Sequence, residues 1–177
     1  MSMNEFAERA AKMIRENRFL TLATHGADGV WAAPINYVVG SDTHLYFYSA
    51  AEARHSRHVG DRAAVAGSVF NSMATSEEVD GLQFTATCEP LDGEKLENVS
   101  EYYFRVNFPD EADRAWWYRP ASEFAPGATW RFYQLSMTEV FVIDFESVEE
   151  SRIDKRVQVD LEELAALLAS PVVQGEA

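Results

Sequence analysis

Short runs of apolar residues, interrupted by polar and turn-forming residues, follow one another along most of this chain. Within the runs, β-branched and aromatic residues are frequent and often alternate with polar ones, which is typical of β-strands. Glycine-containing turns such as GADG (26–29) separate them. The pattern predicts strands in FLTLATH (19–25), VWAAPINYVV (30–39), HLYFYS (44–49), AAVAGSVF (63–70), LQFTATCEPL (82–91) and WRFYQLSMTEVFVIDF (130–145), the last in two pieces.

Residues with helical spacing lie at both ends of the chain and between the later strands. Phe6 and Ile14 share a face of a predicted N-terminal helix, and Leu164 and Leu168 share a face near the C-terminus. Two further helices are predicted in the crossover after Leu91. We therefore predict a mainly β, single-domain chain with a six- to seven-stranded antiparallel sheet that closes into a barrel. Its parts are an N-terminal helix (1–18), a barrel (19–145) and a C-terminal helical appendage (146–177).

Composition narrows the range of expected partners. The formal net charge of −14 and the pI near 4.6 argue against nucleic acid and membranes, which require an extended positive surface. No run approaches the roughly 18 apolar residues of a membrane span. Cys88 is the one cysteine and the opening residues lack a signal-peptide pattern, so we expect a cytoplasmic protein without an internal disulfide.

An isolated basic segment follows the third predicted strand. Within residues 19–94 all the arginines and lysines lie in ARHSRHVGDR (53–62). In so acidic a chain, Arg54, His55, Arg57 and His58 indicate a binding site for a small anion such as a phosphate. At helical spacing the two arginines and the second histidine share a face, whereas the first histidine is offset.

Two other interpretations of the basic segment stay open. In one, it is a solvated helix whose arginines pair with Glu52 and Asp61. In the other, its histidines bind a metal, but Cys88 and distant carboxylates complete a set of three or four donors poorly. No metal site is therefore predicted.

The order of elements resembles that of the pyridoxamine 5'-phosphate oxidase-like, FMN-binding split-barrel superfamily. The resemblance is carried by FLTLAT, the turn GADG, APINYVV, LYFYS, ARHSRHV and RAAVAGSV. The spacing is closest to a branch of small proteins with a TRHAQ-like turn, not to pyridoxamine phosphate oxidase proper. The resemblance implies an antiparallel split β-barrel, usually a homodimer, that holds FMN in the groove between its subunits.

The phosphate-binding turn of that superfamily corresponds to the basic segment. Its serine-arginine-lysine motif corresponds to Ala53, Arg54 and His55, of which the arginine matches. An aromatic-hydroxyl pair that lies beside the ribityl phosphate is similar to Tyr48 and Ser49. The resemblance therefore implies that these residues, together with the rest of the basic segment, bind FMN.

Two departures separate this chain from pyridoxamine phosphate oxidase itself. The basic residues which that enzyme carries on an earlier strand correspond to positions near Ala33 and Val38, which are uncharged. Its C-terminal arginine-x-histidine signature is not visible in SRIDKRVQV (151–159). We do not expect that enzyme's activity.

Several side chains are candidates to contact a flavin ring, which needs a flat slot and a few hydrogen-bonding groups. Asn36, Tyr37 and Gln83 provide such groups on predicted strands, although each can equally be an outward-facing polar residue. An aromatic cluster is expected to cap the ring or, alternatively, to pack in the core or at a dimer interface. This cluster consists of Trp116, Trp117, Tyr118 and Trp130.

The sequence thus predicts an FMN-binding oxidoreductase that transfers a hydride or electrons through a flavin at a homodimer interface. No motif for nucleophilic catalysis accompanies it, as expected where the cofactor carries the chemistry. The alternative is a non-catalytic split-barrel protein that binds haem, a deazaflavin or no cofactor.

Overall fold

The computed structural model describes residues 3–40, 43–75 and 80–169. Residues 76–79 and residues 170–177 of the predicted C-terminal appendage lie outside the described part. Six α-helices and one 3-10 helix occur in the described residues: α1 (Met3–Glu16), α2 (Arg54–Val59), α3 (Gly93–Asn107), α4 (Glu111–Trp117), the 3-10 helix (Ala121–Phe124), α5 (Phe145–Ser151) and α6 (Leu161–Ala169).

The described strands form one antiparallel sheet, arranged as a split barrel. Their order across the sheet is β2-β1-β5-β6-β7-β4-β3, and β8 pairs with the C-terminal end of β7. The strands are β1 (Phe19–Gly26), β2 (Gly29–Asn36), β3 (Val38–Val39), β4 (Leu45–Ala50), β5 (Ala63–Phe70), β6 (Gly81–Pro90), β7 (Trp130–Ile143) and β8 (Arg156–Gln158). The predicted mainly β architecture is confirmed.

Tyr37 connects the two edges of this sheet. It lies between β2, the first strand in the sheet order, and β3, the last. Its amide donates to Arg18 O at 3.1 Å, and its hydroxyl donates to Ile14 O at 2.7 Å. Burial raises the pKa of Tyr37, so the hydroxyl keeps its proton and remains a donor. The sheet therefore curls back on itself at a residue anchored to α1.

Two apolar clusters fill the space between the sheet and the helices. The larger one packs α1 and α6 on the concave face of the sheet, with Ile14, Leu22 and Leu164 almost fully buried. The smaller one is mostly aromatic and packs α3 and the 3-10 helix against β4 and β7; Phe124 and Phe132 lie at its centre. The aromatic cluster forms one wall of the site described below.

The strands differ from the prediction at three places. The last run forms the single strand β7 instead of two pieces, with a register shift against β6 between Thr85 and Ala86. The run VWAAPINYVV bends at Tyr37 and forms two strands instead of one. The charged segment after β7 adds β8, so the C-terminal appendage is not purely helical. Pro34 lies on β2, an edge strand, where the missing backbone donor is tolerated. In the described residues no helix is long and apolar enough to cross a membrane.

We expect Tyr37→Phe to lower the free energy of unfolding by about 1–2 kcal/mol, because the buried Ile14 carbonyl loses its hydroxyl donor. Urea titration of the variant measures this change. Tyr118→Phe is the matched control, since Tyr118 is about half exposed and its change should stay within about 0.5 kcal/mol. Equal stability of the two variants would contradict the anchoring role of Tyr37.

Candidate functional site

A groove lies between the end of β2, the end of β4, and the helices α2, α3 and α4. Its volume is about 410 Å³. Aromatic rings and uncharged polar groups surround it, and among the described residues that line it none is a lysine, arginine or carboxylate. The lining residues are Pro34, Ile35, Asn36, Tyr48, Ser49, His55, Tyr103, Phe108 and Trp117.

Hydrogen bonds to neighbouring backbone and side chains orient the polar groups of the groove. Tyr103 donates its hydroxyl hydrogen to Asn36 Oδ1 at 2.7 Å, and Asn36 Nδ2 donates to Arg18 O at 3.0 Å. Burial raises the pKa of Tyr103, which keeps the phenol neutral. The amide of Asn36 is thereby held in one orientation, with a remaining hydrogen on its nitrogen that can serve a ligand.

His55 points into the groove from α2. Its Nε2 lies 2.8 Å from Ser49 Oγ at the end of β4, and the residue is 8% exposed. Burial lowers the pKa of His55 below the ordinary value of 6.5, and the nearby charge of His58 lowers it further. A neutral imidazole beside a hydroxyl is suited to hydrogen bonding or metal ligation and not to pairing with an anion.

The other basic residues of α2 point away from the groove. Arg54, Arg57 and His58 converge on the carboxylate of Asp28, in the turn between β1 and β2. Arg54 Nε is 3.0 Å from Asp28 Oδ2, and Arg57 Nη2 is 3.9 Å from the same oxygen. The helical spacing predicted this division, in which His55 is offset from the other three.

His58 is the most buried member of this group, with 4% of its side chain exposed. Its Nε2 donates to Asp28 Oδ1 at 2.5 Å, and its Nδ1 lies 3.0 Å from Thr24 Oγ1. A Cβ at Gly26 would collide with the imidazole ring, so only glycine there allows this approach. The hydrogen bond from His58 holds the pKa of Asp28 below its ordinary value of 3.8, and the charge of Arg54 lowers it further.

Aromatic rings stack along the wall of the groove that α3 and α4 provide. Phe108 stacks on Trp117, with ring centroids 5.7 Å apart and planes 15° from parallel. Tyr48 packs edge-on against Tyr103 and also against Trp130. Trp116 projects into solvent with 83% of its surface exposed. The predicted aromatic cluster is therefore divided. Trp130 packs against the aromatic core cluster, Trp117 lines the groove, Tyr118 is about half exposed, and Trp116 lies at the surface.

The sequence of this chain matches that of a known family over most of its length. Residues 6–125 match the sequence model described as "Pyridoxamine 5'-phosphate oxidase". The chain belongs to the pyridoxamine 5'-phosphate oxidase family. The family that the sequence resemblance indicated is thus confirmed, and the match spans every element that lines the groove.

One relative by sequence and two by structure illustrate what this family and fold include. The UPF0306 protein of Klebsiella pneumoniae (strain 342) is 28% identical over 99 residues, which is 55% of this chain and 67% of that protein. A "heme binding protein" from Mycobacterium smegmatis has a TM-score of 0.64 at 15% identity, covering 94% of this chain and 61% of that one. A "fad-binding protein" from Mesorhizobium loti has a TM-score of 0.55 at 18% identity, covering 76% of this chain and 89% of that one. At these identities the structural likeness shows the fold alone.

The structure separates the nine predicted site residues into three groups. Asn36, Tyr48, Ser49 and His55 line the groove. Arg54, Arg57 and His58 surround Asp28. Tyr37 and Gln83 lie elsewhere: the tyrosine is directed at α1, and the glutamine is exposed on the convex face of β6.

Three features of this family member were not evident in the sequence. The arginines do not pair with the carboxylates of Glu52 and Asp61 but with Asp28, although Arg57 Nη1 also donates to the Glu52 carbonyl at 2.5 Å. The sequence places Asp28 in a turn, and no local spacing connects it to a helix some 30 residues later. Tyr103 and Phe108 belong to a predicted crossover helix and its end, and only the fold brings them to the groove. The described residues contain no cluster of three or more potential metal ligands.

We expect the imidazole of His55 to titrate below pH 6.5 in a two-dimensional NMR titration, because burial disfavours its charged form. The stability contributed by the neutral ring is fully present above pH 6.5 and is lost as the pH falls toward the lower pKa of the folded state. The unfolding free energy of His55→Gln should therefore fall less steeply between pH 7 and pH 5 than that of the wild type. An unchanged slope in His55→Gln would contradict this assignment.

Proposed function

We propose that the groove binds the ring system of FMN and that this chain is a flavin-dependent oxidoreductase. The observation that carries the proposal is the composition of the groove: stacked aromatic rings on one side, and the amide of Asn36, the hydroxyl of Ser49 and a neutral His55 around it. A heteroaromatic ring with several polar edge atoms matches such a lining better than a charged or an aliphatic ligand.

The residues present fit the two ends of FMN to different degrees. Asn36, Ser49 and His55 would contact the ring and ribityl hydroxyls, and Phe108 with Trp117 would pack against the ring. Arg54 and Arg57 are the nearby residues with guanidinium groups suited to a phosphate, although both already lie close to Asp28. A bound flavin would supply hydride acceptance at N5. The chain's own contribution would be to orient the ring, exclude water from one of its faces and keep Tyr103 neutral as a donor.

We further propose that a second copy of this chain completes the groove. The convex face of β1, β2 and β5 carries small residues and two exposed phenylalanines, Phe19 (59% exposed) and Phe70 (51% exposed). Pro34 and Asn36 at the end of β2 belong both to this face and to the groove. A face of small residues permits close approach of another sheet, and the exposed rings favour its burial.

Phe70→Glu should shift the chain from dimer to monomer in size-exclusion chromatography with light scattering, because a charge would be buried against the partner. Circular dichroism should stay unchanged, since Phe70 is half exposed within one chain. Glu139→Gln, on an exposed position of β7, is a control that should remain dimeric. A monomeric wild type would overturn the dimer proposal.

Purified protein incubated with FMN and passed through a desalting column should retain flavin absorbance in the visible bands. His55→Ala should weaken FMN binding about tenfold, since it removes a hydrogen-bonding group and part of the groove floor. His44→Ala is the matched control and should bind like the wild type, because His44 lies outside the groove. Absence of flavin absorbance together with absence of a thermal shift would overturn the FMN proposal.

Haem is the second candidate ligand, and the neutral imidazole of His55 in an aromatic groove is the observation that favours it. A neutral imidazole is a common iron ligand in haem proteins. The same column experiment with haemin distinguishes the two. A sharp haem band that His55→Ala abolishes, with no retained flavin, would assign the protein to the non-catalytic alternative.

A further inference from the structure

The basic side chains of α2 already bind an anionic group of this chain, the carboxylate of Asp28. Arg54, Arg57 and His58 come from one face of α2, and all three are directed at the same carboxylate. Arg54 Nη2 also donates to the backbone carbonyl of Asp28. Its guanidinium lies over the ring of Trp31, 4.9 Å from the centroid. The cluster thus has the convergent geometry of an anion site, and Asp28 holds the position of the anion.

The turn that carries Asp28 fixes where its carboxylate lies. Only two residues, Ala27 and Asp28, separate the last residue of β1 from the first residue of β2. Gly29 follows with a φ of +97°, a conformation that favours glycine, and the Gly26 position is in contact with the His58 ring. A turn this short, with its two flanking glycines paired, leaves the carboxylate little room to withdraw from the cluster.

The cluster nevertheless remains open to solvent on one side. The side chain of Asp28 is 51% exposed, that of Arg57 is 51% exposed and that of Arg54 is 29% exposed. Half-exposed ion pairs of this kind are weak, so the arginines keep the capacity to bind a second anion from the solvent side. Such an anion would lie close to the negative charge of Asp28, which opposes a dianion more strongly than a monoanion or a neutral group.

We propose that Asp28 is a specificity-determining residue that lowers the affinity of the basic cluster for phosphate groups. The inference rests on the proposed function only in placing a phosphate-bearing flavin beside α2; the geometry of the cluster stands by itself. It follows that the chain discriminates little between FMN and riboflavin, because most of the binding free energy comes from the ring in the groove. The carboxylate also replaces the phosphate as the partner that keeps Arg54, Arg57 and His58 together.

Asp28→Asn tests this inference, because it removes the charge, keeps the oxygen that accepts from His58, and places a residue type that short hairpin turns favour. Calorimetric titration with inorganic phosphate should show about tenfold tighter binding to the variant, the effect expected for removing one charge about 5 Å from a dianion in a largely aqueous site. The ratio of the riboflavin Kd to the FMN Kd should rise by a similar factor, with riboflavin affinity itself unchanged.

Asp61→Asn is the matched control, since it removes the same charge from an exposed residue just after α2. Equal gains in Asp61→Asn and Asp28→Asn, or no gain in either, would overturn the proposal. Weaker phosphate binding by Asp28→Asn would also overturn it and would make Asp28 a residue that merely positions the arginines. Asp28→Ala, tested in parallel, should show the same gain if the charge is the cause.

The outcomes separate this inference from the flavin proposal. If phosphate binding tightens in Asp28→Asn while neither flavin binds any variant, the role of Asp28 stands and the flavin proposal fails. If the wild type binds FMN far more tightly than riboflavin and Asp28→Asn changes nothing, the flavin proposal stands and the role of Asp28 fails.

Discussion

The architecture depends on the curling of one antiparallel sheet until its two edges meet at Tyr37. Because β2 and β3 are separated by this single residue, the first and last strands of the sheet are held together by the chain itself. The hydrogen bond from Tyr37 to the C-terminal turn of α1 fixes the direction of the bend. The closure brings the end of β2 to within reach of the end of β4 and of α3, and these elements together form the groove.

The groove and the basic cluster are two chemically different environments on either side of α2. The groove is aromatic and uncharged, and its histidine is kept neutral by burial. The cluster is charged and partly exposed, and its basic side chains converge on the carboxylate of Asp28. Six residues of helix are enough to create this contrast, because successive side chains of a helix point in different directions. A ligand that is planar at one end and polar at the other would meet both environments at once.

Local sequence patterns predicted the elements and side-chain directions that depend on neighbouring residues. Alternation of apolar residues predicted most strands, and helical spacing predicted that His55 would diverge from Arg54, Arg57 and His58. The bend at Tyr37 could not be predicted, since its cause is a hydrogen bond to Ile14, 23 residues away. The partner of the arginines was equally hidden, because local spacing favours Glu52 or Asp61, and only the packing of α2 on the β1–β2 hairpin presents Asp28.

The pairing of β4 with β7 has a kinetic consequence for how this chain reaches its native state. That ladder joins residues 45–50 to residues 130–135, so it closes a loop of about 80 residues, whereas the β1–β2 hairpin closes a loop of two. Contacts between distant parts of a chain form late, since the entropy of loop closure must be overcome before they contribute. The groove is lined by Asn36 from the hairpin and by Tyr48 and Ser49 from β4, so we expect it to form only after the ladder between β4 and β7 has closed.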